Sequence, residues 1–374
     1  SLTIWLKMVD ALPPPLPVAA AQRVLSSRNS LSARRDSAPS ARKPTPPGAA
    51  LSRRPSVGST GSLSSARRQG SSDPLAQHGY MTLGPIAAGA FSQIARARHS
   101  GSRREVAVKT FNKQKCVREM HLAQAMKNEL DVLKLLGPGN HPHIANLVDL
   151  LDTKNSIHCV LEYAGGGSLQ RQLQCRGHAK GLTPPEAANV TAQLGSALAF
   201  MHGMGVAHRD VKPENVLFVD SALRAVKLCD FGFAIHCGGR KLRTVCGSPQ
   251  YMAPELSRKE SYAGPPVDMW ALAAMVYEML HGKPAFRGNS MEQLGIRIMR
   301  VSHESYGPEA PSAARSFIKG GLVHDAAGRF TAAECIDHPW VVDHRVGYGA
   351  PHAAVPQATG APAAGPGDGA VDAE

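Results

Sequence analysis

Aromatic residues are scarce in this chain, 5% of 374 positions, and no apolar run approaches the roughly 20 residues that cross a bilayer as a helix. The missing run excludes an integral membrane protein of the helical kind. Cysteine is sparse and badly spaced for pairing: the seven (116, 159, 175, 229, 237, 246, 335) include no CxxC and are odd in number. That excludes a disulfide framework or a zinc ribbon and reads as reduced thiols. The 16 histidines supply no HExxH and no clustered ligand spacing. Acidic residues are also short, 29 against 42 Lys and Arg, for a net charge of +13. Such a surplus admits a polyanion partner, an anionic surface, phosphate ligands or simply a basic tail.

Partitioning the charge narrows the choice. Residues 1–78 hold 11 Lys/Arg against 3 Asp/Glu, or +8, with 15 Ser, 10 Pro and one aromatic, Trp5. Apolar burial there cannot offset about 1–2 kcal/mol of backbone entropy per residue, so the segment reads as disordered. Its Ser/Arg/Ala-rich make-up also resembles a transit peptide, an alternative that ranks second to a plain extension. The run Pro13-Pro14-Pro15-Leu16-Pro17 fits a polyproline ligand. Residues 343–374, rich in Ala, Gly and Pro, read as a second disordered tail. A folded unit is expected over 79–342. Short alternating runs at 104–111 and 157–162 read as strands. One helix is expected over 117–136, with Met126, Leu130, Leu133 and Leu136 on one face. After Gly165-Gly166-Gly167 the pattern turns helical, at 187–202 and 267–280. The expected architecture is α+β and bilobal: a strand-rich N-lobe over 79–163 and a helical C-lobe over 164–342.

The densest polar cluster is His208-Arg209-Asp210-Val211-Lys212-Pro213-Glu214-Asn215, followed by Asp230-Phe231-Gly232 and Ala253-Pro254-Glu255. It concentrates a candidate base, a cation and two oxygen metal ligands, the groups that phosphoryl transfer requires. This run resembles the eukaryotic protein kinases, in the Ser/Thr branch that carries Lys212 after the aspartate. Val106-Ala107-Val108-Lys109 and Glu129 match the family's strand lysine and helix glutamate, Asp268-Met269-Trp270 the helix beneath the catalytic loop, and Arg329 the partner of Glu255. The resemblance covers about residues 80–340. It implies a fold of two lobes and a Mg-ATP-dependent transfer to Ser/Thr hydroxyls of protein substrates. Asp210 is then the residue orienting the hydroxyl, Lys212 the contact to the γ-phosphate, and Asn215 and Asp230 the magnesium ligands. Lys109, fixed by Glu129, holds the α and β phosphates. Adenine lies among Ile86, Ile94, Ala107 and Leu217, bonded to the backbone of Glu162 and Ala164, with Leu161 at the back pocket and Gly89 in the covering loop.

The pattern departs from the family in places. The phosphate-covering loop reads Ala87-Ala88-Gly89-Ala90-Phe91-Ser92-Gln93-Ile94, with only the middle glycine kept. An Ala at the first position costs little if its φ is negative, so weakened ATP affinity is expected, not its loss. Thr244-Val245-Cys246-Gly247-Ser248 resembles the activation segment of calmodulin-dependent and AMP-activated types. Thr244 is then the activating phosphosite for an upstream kinase, with Arg209 as its cation and Arg240, Lys241 and Arg243 nearby. Ser248 stands where a hydroxyl meets Asp210 and Lys212. Ile235 replaces a basic residue of many relatives, and Ala273 a glycine. Glu214 and Glu278 occupy positions that recognise upstream arginine in basophilic relatives, implying a moderate Arg-x-x-Ser/Thr preference. Three tail sites fit it: Ser37 after Arg34-Arg35, Ser56 after Arg53-Arg54, and Ser71 after Arg68. No basic amphipathic helix for calmodulin follows Trp340. A nucleic-acid partner is not expected, because aromatic residues do not interleave the basic ones. The expected compartment is cytoplasmic or nuclear, with an organelle as the transit-peptide alternative. A scaffold that binds without transfer is the competing reading.

Overall fold

The computed structural model describes residues 73–88, 92–137, 141–177, 180–258 and 260–344. The two tails, the tail serines, the Pro13–17 run and Gly89 with its neighbours Ala90 and Phe91 therefore lie outside the described residues, as does the segment after His344, where the sequence offers no basic amphipathic helix for calmodulin.

Five antiparallel strands form the first layer: β1 (Tyr80–Ala88), β2 (Ser92–His99), β3 (Glu105–Asn112), β4 (Leu147–Asp152) and β5 (Ser156–Glu162), in the order β1-β2-β3-β5-β4. Alternation along β3 sets its two faces. Val106 and Val108 join Leu75, Tyr80, Ala97, Leu151 and Val160 on one side. On the other, Phe111 packs with Met126 and Leu130, and Lys109 reaches the same helix. Packing begins earlier than residue 79: Leu75 is buried, and Asp73 accepts a hydrogen bond from its backbone at 3.0 Å and from the Thr82 hydroxyl at 3.0 Å.

The helix expected over 117–136 is two helices. α1 (Lys113–Arg118) is capped by Asn112, and α2 (Met120–Leu136) follows after Glu119, whose φ of −124° and ψ of 90° break the ladder. Met126, Leu130, Leu133 and Leu136 are all buried as expected. Leu133 and Leu136 belong to the core of the second lobe, so α2 joins the two.

That second lobe is helical: α3 (Leu169–Arg176), α4 (Pro184–Gly203), α5 (Pro254–Ser257), α6 (Gly264–His281), α7 (Met291–Met299), α8 (Ser312–Gly321), α9 (Ala332–Ile336) and α10 (Pro339–Val342). α4 starts where Thr183 and Glu186 cap each other's backbone and two prolines fill the first turn. α6 is buried almost all round, with Trp270 stacked on Phe286 at 5.5 Å between centroids, and ends at Gly282 in the left-handed region. Ala273 is a packing residue. It is wholly buried, and a Cβ on Gly321 of α8 would lie 2.4 Å from its methyl. Four short strands sit at the junction: β6 (Val206–Ala207), β7 (Val216–Phe218), β8 (Val226–Leu228) and β9 (Ile235–His236), with β7 paired to β8 and β6 to β9. The linker between lobes lies so close to β7 that a Cβ on Gly166 would be 2.2 Å from the Asp220 carbonyl, which requires glycine there.

Candidate active site

The site is built on a buried carboxylate. Asp268 of α6 is fully buried and accepts from the backbone N–H of His208 at 2.9 Å and of Arg209 at 2.7 Å. His202 of α4 bonds the same carboxylate at 2.9 Å. Three donors for one carboxylate leave no unpaired buried charge. They also fix the loop between β6 and β7, where Arg209 takes a φ of 64°, a strained value that the surroundings must impose. His208 is entirely buried, with Nε2 3.2 Å from the Cys229 carbonyl.

On that loop the predicted residues converge. Lys212 Nζ lies 2.7 Å from Asp210 Oδ2 and donates to the Ser248 hydroxyl at 2.8 Å. Ser248 in turn donates from Oγ and from N to Asp210 Oδ1, both at 2.9 Å. Asn215 is buried and gives its amide N–H to the Asp210 carbonyl at 2.8 Å and to Asp210 Oδ2 at 3.1 Å. The segment carrying Thr244 is pressed against this loop at Gly247, whose φ is 100° and whose added Cβ would meet the Arg209 carbonyl at 2.6 Å.

A second cluster faces it from the other lobe. Lys109 of β3 binds Glu129 of α2 at 2.6 Å and Asp230 at 2.9 Å. Burial opposes the ammonium charge, but the two carboxylates outweigh it and raise the Lys109 pKa. Glu129 is pushed up by burial against the pull of Lys109. Burial also opposes ionisation of Asp230, yet Lys109 holds that carboxyl below its usual range. The clusters are stitched together at Cys229, whose N–H donates to the Asn215 carbonyl at 2.9 Å. Burial lifts the Cys229 thiol to about 12, so it is protonated and a poor nucleophile at neutral pH.

Between the sheet and β7, Ile94 pairs in register with Lys109, Ala107 with Leu161, and Leu217 with Lys227, while Ile86 is exposed on β1. Ala87 is not among the described residues with positive φ, so its methyl costs no left-handed strain. The Glu162 side chain pairs with Lys227 at 2.8 Å and Arg104 at 2.9 Å.

The protein kinase domain model matches residues 80–341 of the chain. Calcium/calmodulin-dependent protein kinase type 1B of Rattus norvegicus is 33% identical over 68% of this chain and 73% of its own. Serine/threonine-protein kinase H2 of Homo sapiens is 29% identical over 75% and 72%. NUAK family SNF1-like kinase 1 of Mus musculus is 32% identical over 71% of this chain and 39% of its own. The chain belongs to the protein kinase family and is a protein serine/threonine kinase.

Several contacts of this kinase were not legible beforehand. Thr244 and Arg209 do not touch directly in the hydrogen-bond network; Tyr262 links them, accepting from Arg209 Nη1 at 3.2 Å and donating to the Thr244 carbonyl at 2.7 Å. Arg209 also donates to the Phe233 carbonyl at 2.8 Å. Arg240 spends its guanidinium on the carbonyls of Cys237 and His236 at 3.3 and 3.4 Å. No local pattern marks Tyr262 or Lys227, since each acts through a partner more than fifty residues away. Arg329, by contrast, meets Glu255 through two bonds of 2.7 and 2.8 Å, as its motif implies. Among the described residues no helix is long and apolar enough to cross a membrane.

Glu278 of α6 is buried and receives the Tyr251 hydroxyl at 2.5 Å. It lines a cavity of about 250 Å³ with Gln170, Leu173, Glu214, Gln250 and Tyr251. Tyr251 also lines the pocket that contains Asp210, so the cavity adjoins the catalytic loop. Burial raises the Glu278 pKa, the Tyr251 bond opposes the rise, and Glu214 adds to it. The Gln170 Oε1 is buried without a hydrogen-bond partner.

Proposed function

We propose that this kinase transfers the γ-phosphoryl group of Mg-ATP to Ser/Thr hydroxyls that follow arginine, and that phosphate on Thr244 activates it. The observation that carries the reading is the joint arrangement of Asp210, Lys212, Asn215 and Ser248 opposite Lys109, Glu129 and Asp230.

The donor set suits the nucleotide and its metal. Asp230 offers a carboxylate, and Asn215, with its nitrogen committed to Asp210, offers its oxygen. Two hard oxygen donors completed by phosphate oxygens are what Mg²⁺ takes in such sites. When bound, the metal neutralises charge on the phosphate oxygens. Lys109 is the cation for the α and β phosphates, and Glu129 keeps it charged and aimed. The roof over adenine falls to Ile86, Ile94 and Ala107, the floor to Leu217, and the polar edge to the backbone of Glu162 and Ala164. Gly89 is the remaining glycine of the covering loop. Asp210 accepts the proton of the substrate hydroxyl and orients its oxygen. Lys212 offsets charge on the transferred group.

Substrate preference rests on the acidic cavity. Glu214 and Glu278 offer carboxylate oxygens and Gln170 an unpaired Oε1, acceptors that suit the five-donor fork of a guanidinium. Activation rests on the Arg209–Tyr262–Thr244 chain. A phosphate adds about −1.5 to −2 charges at exposed Thr244, with Lys241 and Arg243 exposed beside it. Labelled phosphate transfer to an Arg-Arg-x-Ser peptide tests the reading, with Asp210→Asn as control. The variant is expected to lose at least about 100-fold in turnover; equal rates overturn the role of Asp210. An unchanged turnover of Thr244→Ala against phosphorylated wild type overturns the activation step.

A further inference from the structure

We propose that the acidic cavity takes the arginine doublets of the kinase's own N-terminal segment, so that Ser56 and, more slowly, Ser37 are modified within the same molecule. The inference rests on the basophilic reading above and names a substrate for that site.

Three observations carry it. The first is charge complementarity. The segment before residue 79 holds 11 Lys/Arg against 3 Asp/Glu, and the cavity beside Asp210 holds Glu214 and buried Glu278. The second is register. Arg53-Arg54 and Arg34-Arg35 stand three and two residues before a serine. In an extended chain that places both guanidinium stems about 7–10 Å from the hydroxyl, on alternate sides. Glu214 is in the catalytic loop itself, four residues after Asp210. Pro55 biases Arg54 to the extended conformation, whereas Asp36 would bring a carboxylate against Asp210. Ser56 is therefore the better site and Ser37 the second.

The third is reach. Asp73, the first described residue, is fixed to Thr82, and Leu75 lies with Val106 and Val108 on the sheet face that turns away from Lys109. Ser56 lies 17 positions before Asp73, a span of up to about 56–61 Å. A domain of this size has a radius of gyration of about 18 Å, so Ser56 and Ser37 both reach the cleft. Ser71 lies two positions before Asp73, and about 7 Å cannot carry it around the sheet. Ser71 is thus an internal control for transfer within one molecule. In the transfer, Ser56 Oγ bonds to the γ-phosphorus of ATP, and the bond to the bridging oxygen breaks with its electron pair leaving on ADP. The hydroxyl proton passes to Asp210.

The test uses the full chain. Without nucleotide, brief trypsin digestion is timed at Arg34, Arg35 and Arg53, with Arg23 as reference. Cutting is expected to be at least about three-fold slower in wild type than in Glu214→Gln, an exposed position, or Glu278→Gln, as for a tethered ligand near its site. Equal rates in all three overturn the inference. With Mg-ATP, mass spectrometry is expected to find phosphate on Ser56, then Ser37, and none on Ser71, at a rate per chain unchanged by ten-fold dilution. Labelling that falls on dilution, or that includes Ser71, overturns it. A free Arg-Arg-x-Ser peptide separates the two levels. If the peptide is phosphorylated in preference to its Ala-Ala counterpart while the tail stays unlabelled, only this inference fails. If the kinase does not discriminate between the peptides, the basophilic reading fails with it.

Discussion

Asp268 and Glu278 are ten residues apart on one buried helix, α6, and both are almost wholly removed from water. Asp268 accepts three hydrogen bonds, two of them from backbone N–H groups of the catalytic loop. Glu278 receives one, from Tyr251, and faces a cavity. The first carboxylate is spent on holding the loop. The second keeps acceptor capacity, and its raised pKa reports that the protein has not fully compensated its charge. Two buried acids on one helix thus differ in how many donors each already has: one is saturated by its neighbours, the other keeps an acceptor face toward a cavity.

The largest test of that contrast is Asp268→Ala. It orphans the N–H groups of His208 and Arg209 and is expected to cost about 3–5 kcal/mol, read as a lower denaturant midpoint. Glu278→Gln keeps an acceptor for Tyr251 and is expected to change stability by less than about 1 kcal/mol. It should instead raise KM for an Arg-Arg-x-Ser peptide by about 10-fold or more, the worth of a lost charge-assisted bond. Comparable unfolding of both variants would abolish the distinction.

The pH dependence sharpens it further. A carboxyl whose native pKa is raised contributes stability that is complete below the ordinary carboxylate range and is lost as pH rises through the native value. Glu278 is such a group. Wild type is therefore expected to lose stability across that window relative to Glu278→Gln, whose amide does not titrate. Parallel curves from denaturant midpoints at stepped pH would refute the assignment. The smallest effect is expected away from α6. Ala87→Gly relieves no left-handed strain and should shift KM for ATP by less than about two-fold.

How far the chain could be read in advance followed the same division. The catalytic run from His208 to Asn215, Asp230, Lys109 with Glu129, and Arg329 with Glu255 were legible because each demands one chemistry at a fixed position, and those residues do meet. The helices at 187–202 and 267–280 lay within a few residues of α4 and α6. The break at Glu119 was not legible, because the apolar positions of α1 and α2 form one continuous period and only the backbone turn divides them. Nor was Leu75, one apolar side chain at the end of a polar segment.

Sequence alone determined which polar groups gather at the candidate site, the carboxylate of Asp210, the amide of Asn215 and the ammonium groups of Lys109 and Lys212. It also determined the lobes, through the switch from alternating to helical periodicity. Tertiary structure decided which groups remain available. Tyr262 became the bridge between Arg209 and Thr244, and Arg240 was taken up by nearby carbonyls. Asp268 was saturated while Glu278, with one bond from Tyr251, kept acceptor capacity beside a cavity. The reason is that hydrogen-bond capacity is fixed by the residue type, but its use depends on neighbours that the chain brings in from far along its length.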